Sequence, residues 1–473
     1  METWGEKLSV WLGRAALAVF AALLVPAVLW GSQAGRKEAL VLGILGAGAL
    51  LLAARPAGRR LAGLGRRRAL LILALACAAV KLAWVLAVKV PVEGDYAVFW
   101  GYANSLARQE VLDNGRYMAL FPHLFGYSVV LSWLVRLLGS YIGAAVGLNV
   151  VLSVLSGVLL FFLGKKLLGL EAGCAALVLW TLCPSQTMYN SLVLSEPLYT
   201  AGILAALLVS VRAVEKIPTC PRLGGLGAAG GLLLAGVNLV RPVGMIVLLT
   251  VGLWAVCLNL PLWRRKWREM LCFLLALGAV YAAAGRLGSA WAQRRIGEAP
   301  ASVPGYNILV GFNVGSKGQW NQADSDHLFQ YDSEPGITAP EVQQKMLADA
   351  VERITGGGID FLPLFREKLR IFLGADDTCV GYCSSIRHKA YFRLACNGFY
   401  YACALLALAG AGRMWRRRDR SGLFLPLIYT VGLTLAHMLV EVAGRYHYSV
   451  LPMLILLACA GLMVEKPGEK QTA

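Results

Sequence analysis

Apolar residues in this chain run together for about 20 positions at a time, and most runs are closed by arginines and lysines. A helix of roughly 20 apolar residues matches the thickness of a bilayer's hydrocarbon. The pattern predicts spans at 8–30, 38–54, 69–90, 141–163, 172–188, 196–211, 223–240, 244–262, 270–289, 389–411, 421–442 and 446–463. The even count puts both ends of the chain on one side. The basic clusters Arg55 to Arg68, Lys165 and Lys166, Arg212 to Arg222, Arg264 to Arg268 and Arg413 to Arg420 fall on that same side. The positive-inside bias makes that side the cytoplasm. The first run, preceded by Lys7 and Arg14 and followed by Ser32, Gln33 and Ala34, also has the outline of a cleaved leader. It is longer than a leader core and further spans follow at once, so it is read as a retained helix.

Two stretches break the pattern. Residues 91–140 must begin and end on the outer side, and their apolar part, Met118 to Leu138, is interrupted by Pro122, His123 and Arg136. It either lies on the membrane surface or re-enters it. Residues 290–388 hold twelve of the 27 acidic residues and predict one sizeable water-facing domain of mixed structure. Within it, Pro340 to Ile354 reads as a helix with Val342, Met346, Leu347, Ala350 and Val351 on one face. Phe361 to Leu373 reads as a membrane-surface helix. The chain divides into 1–68 (two helices and a basic loop), 69–289 (membrane core with the first outer loop), 290–388 (outer domain) and 389–473 (last helices and cytoplasmic tail).

Composition agrees: 58% of the 473 residues are apolar, 15% are charged and mean hydropathy is +0.62, which excludes a soluble enzyme. The net charge of +18 is gathered in the loops between spans, so it is a topology signal and nucleic acid is excluded as a partner. Most of the eleven cysteines lie inside apolar runs as small hydrophobes. Cys379 and Cys383 stand apart as a candidate disulfide. Gly225, Gly227 and Gly230 match a dinucleotide fingerprint by letter only. With no strand before them and no acidic partner after, they read as close helix packing, Gly227 and Gly231 having small-residue spacing. Lys81, midway along the third span, has no evident role in this pattern.

The remaining polar residues collect at span ends on the outer side: Glu93, Asp95, Glu196, Arg241, Arg445, Tyr446 and His447. Pro91, Val92, Glu93, Gly94, Asp95 and Tyr96, followed by Phe99, Trp100 and Ala103, resemble the first outer loop of the C-type-fold (GT-C) integral membrane glycosyltransferases. That superfamily includes the protein O-mannosyltransferases and aminoarabinose transferases. Ser195, Glu196, Pro197, Leu198 and Tyr199, then Arg241, Pro242 and Gly244, then Arg445 and Tyr446 ahead of Pro452, are similar in the same order.

The resemblance implies a GT-C-like bundle that moves a monosaccharide from a polyprenyl-phosphate donor in the outer leaflet to an acceptor hydroxyl, with inversion. It implies Asp95 as the base that takes the acceptor's proton, with Glu93 sharing or positioning. Arg241 and Arg445 suit the donor phosphate, with Tyr446 and His447 as further donors. Glu196 either holds an arginine or binds sugar hydroxyls, beside Tyr96. Asn313, Trp320 and Asp324, in a run rich in glycine and aromatics, are the candidates on the acceptor side. The expected partners are the lipid-linked sugar, a glycan, lipid or protein acceptor, and membrane lipids. No cofactor is called for, and a divalent metal is left open. The rival readings are a flippase or transporter of lipid-linked sugars, which calls for ionisable residues deep in several spans, and an inactive assembly protein of the same fold.

Overall fold

The computed structural model describes residues 4–215, 220–419 and 421–463, and no strand occurs among them. Residues 216–219 of one basic stretch, Arg420 of another, and the tail beyond Met463 lie outside the described residues. The chain opens with α1 (Trp4–Gln33), α2 (Lys37–Gly63) and α3 (Arg66–Ala87). Three shorter helices follow, α4 (Asp95–Arg108), α5 (Arg116–Leu120) and α6 (His123–Leu138). Next come α7 (Ile142–Leu168), α8 (Leu170–Leu182), α9 (Pro184–Met188), α10 (Glu196–Glu215) and α11 (Cys220–Val240). After them, α12 (Gly244–Leu253) runs on through a π turn at Trp254–Leu258 into α13 (Leu260–Ile296). A helical domain is built from α14 (Gly305–Gly311), α15 (Gln322–Asp332), α16 (Ala339–Thr355), α17 (Phe361–Leu373) and α18 (Thr378–Tyr382). The last helices are α19 (Lys389–Arg417), α20 (Phe424–Leu439) and α21 (Val450–Leu462).

Each predicted span is a helix. Eight, α1, α2, α3, α7, α10, α11, α13 and α19, are long and apolar enough to cross a membrane. The chain is thus an all-α, multi-pass membrane protein. The other four predicted spans, α8, α12, α20 and α21, are shorter apolar helices. The first of these ends where Pro184 forces Cys183 into an extended conformation. The basic helix ends share one face: Arg59 lies 3.9 Å from Glu171, and the Trp254 indole donates to the Ser421 carbonyl (3.1 Å). On the opposite face Arg36 pairs with Asp377 (3.2 Å), Leu112 N–H donates to Arg295 O, and Glu441 N–H donates to Asn307 O.

Between α11 and α13 the packing is close because the facing side chains are missing. A methyl group on Gly227 or Gly231 would fall 2.5 Å from the carbonyl of Phe273 or Leu277. Lys81, fully buried, also acquires a role. Its ammonium donates to Thr187 Oγ1 (2.7 Å) and Trp180 O (3.2 Å), so its charge is spent joining α3 to α8 and α9.

The domain expected at 290–388 differs in kind from its prediction, being helical rather than mixed, and α13 runs on to Ile296 past its expected start. Its α16 and α17 match the predicted helices. A capping box at Thr338 and Glu341 starts α16, which buries Val342, Met346 and Ala350 but leaves Val351 at the surface. Gln343, buried on the same helix, accepts from Tyr306 N–H and donates to Leu120 O, tying α16 to α14 and α5. Cys379 and Cys383 are both free, and the Cys379 sulfur faces Cys396 (4.0 Å) and Met188 (3.8 Å) instead. The Met118 to Leu138 stretch becomes α5 and α6. The first turns of α6 dock on the ends of α11 and α13, Gly126 against the Leu239 carbonyl and Phe125 edge-on to Trp291.

Candidate active site

Four elements bring charge to one place on the face opposite the basic loops. Gly94, in the left-handed region (φ 55°), turns the chain into α4, so that Asp95 opens the helix. An acid there is favoured by the unpaired N–H groups of the first turn. Because Tyr96, Phe99, Tyr102, Ala103 and Leu106 form the buried stripe of α4, Asp95 stays half-exposed. Glu196 opens α10, Arg241 follows the last turn of α11, and Arg445 sits in the short 3₁₀ turn Gly444–His447 ahead of α21.

The side chains converge. Arg445 Nη1 contacts Asp95 Oδ2 at 2.5 Å, and its Nε lies 4.0 Å from Glu196 Oε1. Arg241 Nη1 approaches the same Glu196 oxygen at 3.8 Å. The Tyr446 ring stands beside both guanidinium groups, 4.5 Å from Arg241 and 5.5 Å from Arg445. Glu196 is 1% exposed, and among the described residues neither of its oxygens has a hydrogen-bond partner. Buried carboxylates are ordinarily bonded, so this one stands ready for a hydroxyl or a water molecule.

Two residues that the sequence reading left out join the cluster. Glu441 accepts from the Tyr446 hydroxyl (3.1 Å). Burial raises its pKa above the ordinary carboxylate value, although the Tyr446 hydrogen bond, Arg445 and Arg241 pull the other way. His123, first residue of α6, has its imidazole pKa lowered to about 3 by burial and then by Arg241 and Arg445, which keeps it neutral. In the sequence His123 was only an interruption of an apolar stretch. Glu441 lies four residues before Arg445, at the end of a predicted span.

Other predicted residues lie apart from the cluster. Glu93 is exposed, and no ion pair or hydrogen bond of its carboxylate occurs among the described residues. Tyr96 is buried, its hydroxyl without a hydrogen-bond partner among the described residues, and lies edge-on to Tyr382, whose own ring faces Arg445 at 5.8 Å. His447 turns inward, with Nε2 3.0 Å from Asp376 Oδ1, while Ser185 donates to the other oxygen of Asp376 (2.5 Å). Asn313 and Asp324 bond each other (2.8 Å), and Asp324 also receives Asn321 and Arg353. Those hydrogen bonds outweigh burial and hold the Asp324 pKa below the usual range. Their polar atoms are thereby engaged in ordering the loop, and of the three acceptor-side candidates Trp320 alone presents an exposed side chain. No group of three or more His, Cys, Asp or Glu side chains placed to hold a metal ion occurs among the described residues.

Solved structures similar to this chain include two with a bound lipid phosphate. One is the archaeal oligosaccharyltransferase AglB from Archaeoglobus fulgidus, in complex with an inhibitory peptide and a dolichol-phosphate: 12% identity, TM-score 0.47, 83% of this chain and 50% of that one covered. The chain therefore spans half the length of that enzyme. The other is ArnT from Cupriavidus metallidurans bound to undecaprenyl phosphate: 12% identity, TM-score 0.34, 83% of this chain and 77% of that one covered. No protein-family model and no curated protein matches the sequence.

Proposed function

We propose that this protein is a C-type-fold glycosyltransferase that moves a monosaccharide from a polyprenyl-phosphate donor to an acceptor hydroxyl at the outer face of a cytoplasmic membrane, with inversion. The observation that carries the reading is the meeting of Arg241 and Arg445 over a buried, unbonded Glu196, with Asp95 delivered to the same arginine by the first loop. In this reading the acceptor oxygen attacks the anomeric carbon and gives its proton to Asp95. The bond from that carbon to the phosphate oxygen breaks, and polyprenyl phosphate departs with the electron pair. Arg445 and Arg241 meet the charge that grows on the leaving phosphate, as planar forks suited to its oxygens. Glu196 is then free to accept from a sugar hydroxyl.

An apolar cavity of about 200 Å³, lined by Val85, Val88, Pro91, Tyr96, Tyr141 and Val146 among others, supports a sideways approach of the lipid chain. It touches Tyr96, which reaches Arg445 through Tyr382. The flippase reading draws no support from Lys81, whose charge is engaged inside the bundle.

Sugar transfer by the purified protein in lipid vesicles tests the reading, with a panel of polyprenyl-phosphate monosaccharides as donors. One donor should release free polyprenyl phosphate, and Asp95→Asn should slow that release by roughly 10²-fold or more without loss of folded protein. Passage of the intact lipid-linked sugar between leaflets, indifferent to Asp95→Asn, would replace transfer with transport.

A further inference from the structure

The seam between the first loop and the helical domain is walled by aromatic rings that the transfer step does not use. Tyr117 of α5 lies nearly parallel to Phe329 of α15, with centroids 6.4 Å apart and planes at 16°. Tyr117 also packs on Phe121 (4.9 Å), which meets Tyr306 of α14 edge-on (5.5 Å). Tyr117 and Phe329 remain 40% and 41% exposed, so each keeps ring surface facing water. This wall is continuous with the charged cluster. Phe121 leans on His123 (6.3 Å). Burial, then the nearby carboxylates of Asp95 and Glu441, raise the pKa of the Tyr117 phenol.

The seam is held in register. Arg116, next to Tyr117, bonds Glu298 and Asp332 at 2.7 Å each and donates to Ile337 O at 3.0 Å. Two carboxylates, Glu298 and Asp332, thus line the rim around Arg116, and Asp326 lies on the same helix as Phe329. The aromatic faces and these acceptors do not call for a charged ligand. A pyranose ring fits instead: its C–H face packs on an aromatic face, while its hydroxyls seek carboxylates.

We propose that this seam is the acceptor subsite and that the acceptor is a neutral glycan, with sugar rings against Tyr117 and Phe329 and one hydroxyl presented to Asp95. The proposal rests on the transfer reading above and names its acceptor class.

The test uses the full chain in lipid nanodiscs with short neutral oligosaccharides of glucose, mannose or galactose as probes. Binding is read by saturation transfer to the sugar C–H protons. At least one oligosaccharide should bind the wild type, and Tyr117→Ala with Phe329→Ala should weaken that binding about tenfold or more, corresponding to about 1.4 kcal/mol. Phe329→Tyr should retain it. Tyr391→Ala, which removes a ring 73% exposed on α19, should leave it unchanged. If no oligosaccharide binds, if the double variant binds as the wild type does, or if only lipid or an unglycosylated peptide saturates the seam, the proposal is wrong. Failure of the transfer reading looks different: the glycan binds through the two rings, yet no donor is turned over. Conversely, turnover with an acceptor KM unmoved by the double variant would retain the transferase and discard the subsite.

Discussion

At the scale of single residues, this site is arranged around a surplus of carboxyl groups. Asp95, Glu196 and Glu441 face two arginines, and burial raises the pKa of Glu441 above the ordinary carboxylate value. Across the window from the ordinary carboxylate value up to that raised value, the folded protein holds a proton that the unfolded chain has released. Stability supplied by this group is therefore present at low pH and falls as pH climbs through the window. Melting curves of wild type and Glu441→Gln, whose amide stands in for the protonated carboxyl, should run together near about pH 4 and separate as the pH climbs toward about 7, with the wild type falling below the variant. Parallel curves would mean that Glu441 is not held protonated by its surroundings. Glu441 escaped the sequence reading because an acid at a span end is ordinarily just solvated. Only its position beside Tyr446 and Arg445 sets it apart.

At the scale of elements, two joints set the site's geometry. Lys368, fully buried on α17, donates to Gly311 O (2.7 Å), Met438 O (2.8 Å) and Val440 O (2.8 Å), fastening the helical domain to the segment that carries Glu441 and Arg445. Burial lowers its pKa to about 7 against the pull of Glu441. The unfolded chain therefore binds more protons between about 7 and the ordinary lysine value, and stability should rise with pH over that range. Subtracting the Lys368→Met melting curve from the wild-type curve over pH 7 to 10 isolates that rise, and a flat difference would remove the lysine from the account. The second joint is the α11–α13 contact. Gly231→Leu would drive a side chain into the Leu277 carbonyl, and overpacking of this kind costs about 1–3 kcal/mol or more. A lower melting temperature in detergent is expected, with Gly225→Leu, where the added carbon meets open space, as the mild comparison. The Gly227 and Gly231 spacing made this joint legible in advance. The Lys368 clamp was illegible, because its three acceptors are backbone carbonyls from distant segments.

At the scale of the whole molecule, basic clusters end helices on one face and the charged site lies on the other. Single cysteines replacing Arg60 and Ser333, both exposed, sample the two faces. In sealed vesicles a membrane-impermeant thiol reagent should label position 333 from outside and position 60 only after permeabilisation. Labelling of both from one side would overturn the topology. The helical domain also changes its meaning at this scale. Read along the chain it was an acidic, loop-rich segment of mixed structure. Folded, it is a cap whose Asn307 carbonyl holds Glu441 and whose Tyr306 and Phe329 extend the site.

By itself the sequence determined the apolar helices and their order, and gathered the polar span ends as candidates. Hydropathy acts locally over one helix length, and charge bias acts at each loop, so both can be read along a line. Asp95, Glu196, Arg241 and Arg445 were visible as candidates because charge at span ends is conspicuous against apolar surroundings. The tertiary structure decided which of them meet. It brought Glu196 between two arginines, turned His447 toward Asp376, engaged Asn313 and Asp324 with each other, and added His123 and Glu441. Those outcomes depend on helix packing and on partners far apart in the chain, where a shift of one helical turn changes every neighbour and no local pattern records the result.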